Sequence, residues 1–238
     1  MIPKKIHYIW LGGNKKSKLI EKCIASWKKY CPDYEIIEWN ENNFDIGSNK
    51  YLKEAYEAKK WAFASDYIRL YVLYTEGGIY MDTDVEVLKP LDRFLECKAF
   101  SGFERKDAIP TGIMACEKGN EIFKELLSYY TDKSFYNEDG SMNQTTNVVT
   151  ITNMFLEKGL ILNNEYQNIE GFELFPNDYF CPKDYKTKEL FLTDNSYTIH
   201  HFDGSWVAPK DKFKMKVQNM LGDNITQKIV AIKKRLKK

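Results

Sequence analysis

Apolar residues recur along the first half of this chain in two alternating rhythms, short near-continuous blocks and longer stretches at helical spacing. Residues 6–11 are the first block and predict a strand, with Gly12-Gly13 behind it letting a backbone approach a ligand closely. Leu19, Ile20, Cys23, Ile24, Trp27 and Tyr30 mark an amphipathic helix that stops before Pro32. Residues 34–39 predict a second strand, 51–58 and 61–75 helices, and 79–82 a further strand. After Pro90, residues 98–104 and 112–116 read as strands, 121–130 as a helix, and 147–158 as a helix stopped by Gly159. The polar stretch 132–146 reads as a loop or lid. Residues 163–196, rich in Asn, Asp, Tyr and Pro, read as irregular, and 197–202 as a short closing strand. No internal repeat is visible. This alternation predicts an α/β fold with a mixed, largely parallel central sheet flanked by helices. Ligands of such sheets bind beyond the carboxyl ends of the strands, where Gly12, Asp82 and His200 would lie.

Candidate chemistry concentrates just after Gly77-Gly78. Asp82 and Asp84 flank Thr83 at the end of an apolar run. Alternate side chains of a strand share a face, so both acids are expected to point the same way, toward solvent when no ion is bound. Like charges held close repel unless a cation lies between them. Mg2+ or Mn2+ prefers such oxygen ligands and bridges carboxylates to substrate phosphates. The competing reading is a pair of solvated acids in a turn. In the preceding helix, Ala62, Asp66, Arg69 and Leu73 share one face. A charged pair on an apolar face must be paired or put to use, so Asp66–Arg69 is either a structural salt bridge or part of the same pocket. His200-His201 offers a third ligand, since a neutral imidazole suits Mn2+. Adjacent strand residues face opposite ways, so one histidine binds: His200 is favoured, with His201 as the alternative.

At 238 residues and 43% hydrophobic content the chain suits one domain with a sizeable core. The five cysteines (Cys23, Cys31, Cys97, Cys116 and Cys181) are odd in number and contain no C-x-x-C. That argues against a disulfide framework or zinc site and for a reduced, cytoplasmic setting. No apolar run approaches a membrane span, and residues 6–11 lack the features of a signal peptide. Net charge is +1, yet residues 226–238 carry six basic residues and no acid, which leaves −5 on residues 1–225. A body of that sign argues against nucleic acid as a partner. In the tail, Ile225, Ile229, Ile232 and Leu236 follow helical spacing among the lysines. The expected division is a domain over 1–222 and a basic amphipathic tail over 223–238. Such a tail either touches the inner face of an anionic membrane peripherally or packs on the domain.

The run Ala64-Ser65-Asp66-Tyr67-Ile68-Arg69, Leu73-Tyr74 and Gly77 through Val85 resembles the DXD-motif region of family 32 glycosyltransferases. It is also similar to the catalytic core of the large glucosylating toxins. Ile2 through Gly13 looks like the family's first strand, and His200-His201-Phe202-Asp203-Gly204-Ser205-Trp206 like its closing motif. Together these cover about half of residues 1–206, in the family's order. In the middle third, Thr145-Thr146-Asn147 stands where the family has a Thr-Gly-Pro-like turn.

The resemblance implies a GT-A type fold and a retaining transfer from a nucleotide-sugar donor, expected to be uridine-linked, to a glycan or lipid-linked glycan acceptor. It casts the chain as a hexosyltransferase of cell-surface or capsular polysaccharide synthesis. It gives Asp84 the metal, Asp82 the metal or the ribose, and Asp66 and Arg69 the donor sugar and phosphate side. Tyr80 would line the same pocket. Ile9, Trp10 and Leu11 would border the nucleotide, with Trp10 stacking on the base, and Ser205 and Trp206 would clamp the diphosphate. Two other classes compete. A DxD phosphatase normally carries its motif in the first strand, whereas about eighty residues precede it here. A non-catalytic nucleotide-sugar or glycan-binding protein would retain the fold without turnover.

Overall fold

The computed structural model describes residues 1–104 and 108–204. Met1–Asp184 with Lys188–His201 form one compact body. Of a second unit, residues 185–187 and 202–204 are described, and there the Tyr185 and Phe202 rings meet edge to face.

The body opens with β1 (Lys5–Ile9), α1 (Lys18–Tyr30) and β2 (Glu35–Trp39). The Ser17 hydroxyl caps α1 by accepting from the Ile20 N–H at 3.3 Å. Two helices follow, α2 (Lys50–Glu57) and α3 (Trp61–Glu76), then β3 (Gly78–Met81), β4 (Val85–Val87), β5 (Ala99–Gly102) and β6 (Ile113–Cys116). Gly77 ends α3 with a φ of 67°, and its N–H reaches back to the Leu73 carbonyl. A side chain there would be strained and would crowd the Lys118 backbone nitrogen at 2.6 Å. The chain continues through α4 (Glu121–Ser128), α5 (Asn147–Glu157), β7 (Gln167–Ile169), β8 (Phe172–Phe175), α6 (Asn177–Phe180) and β9 (Thr198–His200).

The central sheet has seven strands in the order β2-β1-β3-β6-β5-β8-β7. The parallel and antiparallel pairings send β2, β1, β3, β5 and β8 one way and only β6 and β7 the other. The expected α/β fold with a mixed, largely parallel sheet is therefore present. Strand alternation divides the core between the two faces. Tyr80 and Met114 join the apolar cluster under α2–α5, while Ile79, Met81 and Ile113 join the cluster that includes Trp27 of α1. The Trp27 indole N–H donates to the Val85 carbonyl at 2.7 Å, tying α1 to β4.

The sequence reading of 163–196 as irregular is corrected. β7 and β8 form a hairpin that extends the central sheet. Its two turn residues, Glu170 (φ 53°) and Gly171 (φ 90°), both lie in the left-handed region that the tight hairpin turn demands. The strands are only three and four residues long and lie in a polar-rich stretch, so composition hid them. β4 is likewise short, and it pairs with β9 in a separate two-stranded sheet.

Candidate active site

β3 ends at Met81, and Asp82 begins a turn closed by the Val85 N–H on the Asp82 carbonyl at 3.0 Å. The two acids therefore converge through a turn, not through strand alternation. A turn brings residues two apart together because it reverses the backbone between them. Asp84 is also less open than expected: its side chain is only 13% exposed, against 26% for Asp82.

The antiparallel β4–β9 pair supplies the third group. Val85 pairs with His200, which puts that imidazole beside the residue following Asp84. His200 Nε2 lies 3.3 Å from Asp84 Oδ1 and 3.8 Å from Asp82 Oδ2. One potential ligand atom from each residue lies within 4.8 Å of the other two. Burial works against an imidazolium here, but the Asp84 carboxylate outweighs it and raises the His200 pKa well above its usual value. His201 faces elsewhere: its Nε2 meets Glu86 Oε2 at 2.8 Å, and Lys22 holds the same carboxylate. Of the two histidines, His200 is the one beside Asp82 and Asp84.

Asp66 and Arg69 sit one turn apart on α3, 6% and 4% exposed. Arg69 Nη2 is 3.3 Å from Asp66 Oδ1, and its Nη1 is 3.4 Å from Asp82 Oδ1. The guanidinium also donates to the Thr111 carbonyl at 2.7 Å and to the Ser65 carbonyl and hydroxyl at 3.3 and 3.1 Å. Tyr80 lies under it, 4.6 Å from ring centroid to Cζ, and donates its hydroxyl to Asp82 Oδ1 at 2.6 Å. The Asp66–Arg69 bridge is thus buried and also continuous with the Asp82 cluster. Burial pushes the Asp66 carboxyl up to about 6, against the pull of Arg69 and of the Asn147 N–H. Burial also opposes the charge on Arg69, yet Tyr80 and the two aspartates leave its pKa raised.

Trp10 follows β1. With His7 paired to Tyr80, Asp82 falls level with Ile9, so Trp10 and the acids share one edge of the sheet. Trp10, Gly13, Lys16, Asn40 and Glu41 line a polar cleft of about 430 Å3. The Trp10 indole donates to the Asn14 carbonyl at 2.7 Å, and Lys16 Nζ lies 5.3 Å from the ring centroid. Ile9 and Leu11 place their side chains in the core. Ser205 and Trp206, like the tail 223–238, lie outside the described residues. Gly12 packs directly on Trp61: a Cβ there would meet that ring at 2.9 Å.

Sequence reasoning missed Asn147 as a site-forming residue. It opens α5, donates its N–H to Asp66 Oδ2 at 3.2 Å and its side-chain amide to the Asp66 carbonyl at 2.8 Å. Tyr130 donates its hydroxyl to the Asn147 side chain. The available signal was its place in Thr145-Thr146-Asn147, at a helix start and in the position of the family's mid-chain turn. Thr111 and Gly112 were also missed, because what they offer the site is backbone.

The pattern of residues has counterparts in known proteins. Residues 17–101 match the family described as glycosyltransferase sugar-binding region containing DXD motif. Subversion of eukaryotic traffic protein A of Legionella pneumophila is 24% identical over 87% of this chain and 39% of its own. Inositol phosphoceramide mannosyltransferase 3 of Schizosaccharomyces pombe is 27% identical over 53% of this chain and 36% of its own. The chain thus spans well under half the length of these relatives. A solved glycosyltransferase involved in glycosylation of the major capsid of PBCV-1 is 15% identical, covers 90% of this chain and 99% of its own, and superposes with a TM-score of 0.47. Residues 17–101, which carry Asp66, Arg69, Asp82 and Asp84, are thus similar to the sugar-binding region of DXD-containing glycosyltransferases.

Proposed function

We propose that this chain is a metal-dependent, retaining glycosyltransferase of the GT-A type. Its donor is a nucleotide sugar, a UDP-sugar in this reading, and its acceptor a glycan or lipid-linked glycan of cell-surface or capsular polysaccharide synthesis. The observation that carries the reading is the convergence of Asp82, Asp84 and His200 at the sheet edge shared with the Trp10 cleft. Two carboxylates and an imidazole form a donor set that fits Mn2+ or Mg2+, and those three residues would hold the ion. When bound, such an ion neutralises charge on the diphosphate leaving group.

The chain's own residues divide the remaining work. Arg69 and Tyr80 hold Asp82 in place through the contacts described above. Asp66 accepts donor sugar hydroxyls, the Trp10 ring stacks on the base, and Ser205 and Trp206 hold the diphosphate. In the transfer, the bond from the anomeric carbon to the leaving phosphate oxygen breaks. The acceptor oxygen bonds to the same face of that carbon, and its proton passes to the departing phosphate. Residues 1–222 form the catalytic domain, and the basic tail 223–238 brings it to an anionic membrane surface.

The test is Asp84→Asn. Donor hydrolysis that depends on Mn2+ should fall to background, and stabilisation by UDP with Mn2+ should disappear while the fold is kept. Unchanged Mn2+-dependent turnover in the variant refutes the proposal. Donor binding by calorimetry without hydrolysis in the parent protein would favour the binding-protein reading instead.

A further inference from the structure

We infer that the Thr111-Gly112 segment is the positioning element of this site, its carbonyls fixing Arg69 and Asp82 and the missing side chain of Gly112 seating the His200 ring. This rests on the reading of His200 as a metal ligand.

Three contacts converge on these two residues. The Thr111 carbonyl accepts from Arg69 Nη1 at 2.7 Å. The Gly112 carbonyl accepts from the Asp82 N–H at 2.8 Å. A Cβ built on Gly112 would lie 2.7 Å from His200 Nδ1, 3.0 Å from Cε1 and 3.4 Å from Cγ. The first of those separations is closer than real carbon atoms tolerate, and the obstacle is an aromatic ring held on its other edge by Asp84 and Asp82. Gly112 lies outside the left-handed φ region, so its backbone conformation does not require glycine. Among its described surroundings, the imidazole is what requires it. Cys181, 2% exposed, is a further electrostatic neighbour of the same ring. Ligating histidines are commonly oriented by groups on the ring atoms that do not bind the ion, and loss of such support costs about 10–100-fold in metal affinity. Gly112 provides the space that the ring occupies, and from that space Nε2 faces the two carboxylates.

The experiment is a double-mutant cycle of Gly112→Ala and His200→Ala, read by Mn2+ titration of the protein without nucleotide and by melting temperature without metal. Gly112→Ala alone should weaken Mn2+ binding about 10–100-fold and lower the melting temperature. In the His200→Ala background the same change should alter neither. Equal effects in both backgrounds, or Mn2+ affinity unchanged to within about twofold in the single variant, overturn the proposal. If Gly112→Ala does not fold but the double variant does, the seating is supported. If neither folds, Gly112 serves the fold without reference to His200 and the inference is wrong. Should the parent protein bind no Mn2+, the metal reading fails, and the melting-temperature arm still decides whether the ring occupies the Gly112 slot.

Discussion

Replacing Asp66 by asparagine tests whether burial or ion pairing governs the innermost carboxylate of the site. Asp66 is 6% exposed, and burial lifts its pKa from 3.8 to about 6 despite Arg69 at 3.3 Å. Its folded value is the higher one, so the fold favours the protonated form. The associated stability is fully present below pH 3.8 and lost as the pH rises past about 6. A shift of about two units corresponds to about 3 kcal/mol lost by pH 8. Asparagine has nearly the same shape and does not titrate. The stability of Asp66→Asn relative to the parent should therefore rise by about 2–3 kcal/mol between pH 4 and pH 8, or about 5–10 °C in melting temperature for a chain of this size. The comparison across pH cancels the fixed cost of the altered contact with the Asn147 N–H. Urea unfolding followed by tryptophan fluorescence, without metal, provides the measurement. A gap that stays constant with pH, or narrows toward pH 8, would mean that Arg69 outweighs burial and holds Asp66 ionised at no cost. The same variant should lose donor turnover.

Three further outcomes are expected. Burial disfavours the His200 imidazolium, but Asp84 raises its pKa above the ordinary value, so Mn2+ competes with a proton there and its affinity should climb with pH; a flat profile would remove His200 from the ligand set. Trp10→Ala should raise the donor KM by the equivalent of about 1–3 kcal/mol with kcat little changed, and an unaltered KM would leave Trp10 as a loop anchor through its bond to Asn14. Ending the chain at Gly222 should abolish co-sedimentation with anionic vesicles while sparing donor hydrolysis, since six basic residues are removed; equal pelleting of both forms would exclude the tail as a membrane contact.

How much of this was legible depended on the kind of signal each element carries. The α3 pair was readable because helical spacing places Asp66 and Arg69 on one face, and both are buried there. The sheet's leading strands announced themselves as apolar blocks. The β7–β8 hairpin did not, because its strands are only three and four residues long and lie in a stretch rich in Asn, Asp, Tyr and Pro, although the Glu170-Gly171 dipeptide was a usable turn signal. The Asp82–Asp84 convergence was anticipated for the wrong geometric reason, since nothing in the residue pattern separates a strand end from a turn at that point. His200 and His201 could not be separated until β9 was paired with β4, a contact spanning more than a hundred residues. Thr111 and Gly112 were invisible for a different reason. Their contribution is two carbonyls and an absent side chain, and no residue type advertises either.

The buried arginine shows why a structural and a functional reading of one ion pair need not compete. A guanidinium has five N–H donors, and five partner atoms surround that of Arg69: the Ser65 carbonyl and hydroxyl, the Thr111 carbonyl, Asp82 Oδ1 and Asp66 Oδ1. Three hydrogen bonds go to Ser65 and Thr111, and the two aspartates stand at ion-pair distance. In the proposed reaction, charge from Arg69 would act on a donor molecule through Asp82 and Asp66, which it contacts. A lysine could not span these partners, since its donors radiate from a single nitrogen. Removing the charge would leave two carboxylates facing a buried gap, and such unpaired ions are among the costliest features a fold can hold. The pair belongs to the fold and to the site together, because the carboxylates that would grip the metal and the sugar need a fixed cation behind them before either ligand arrives.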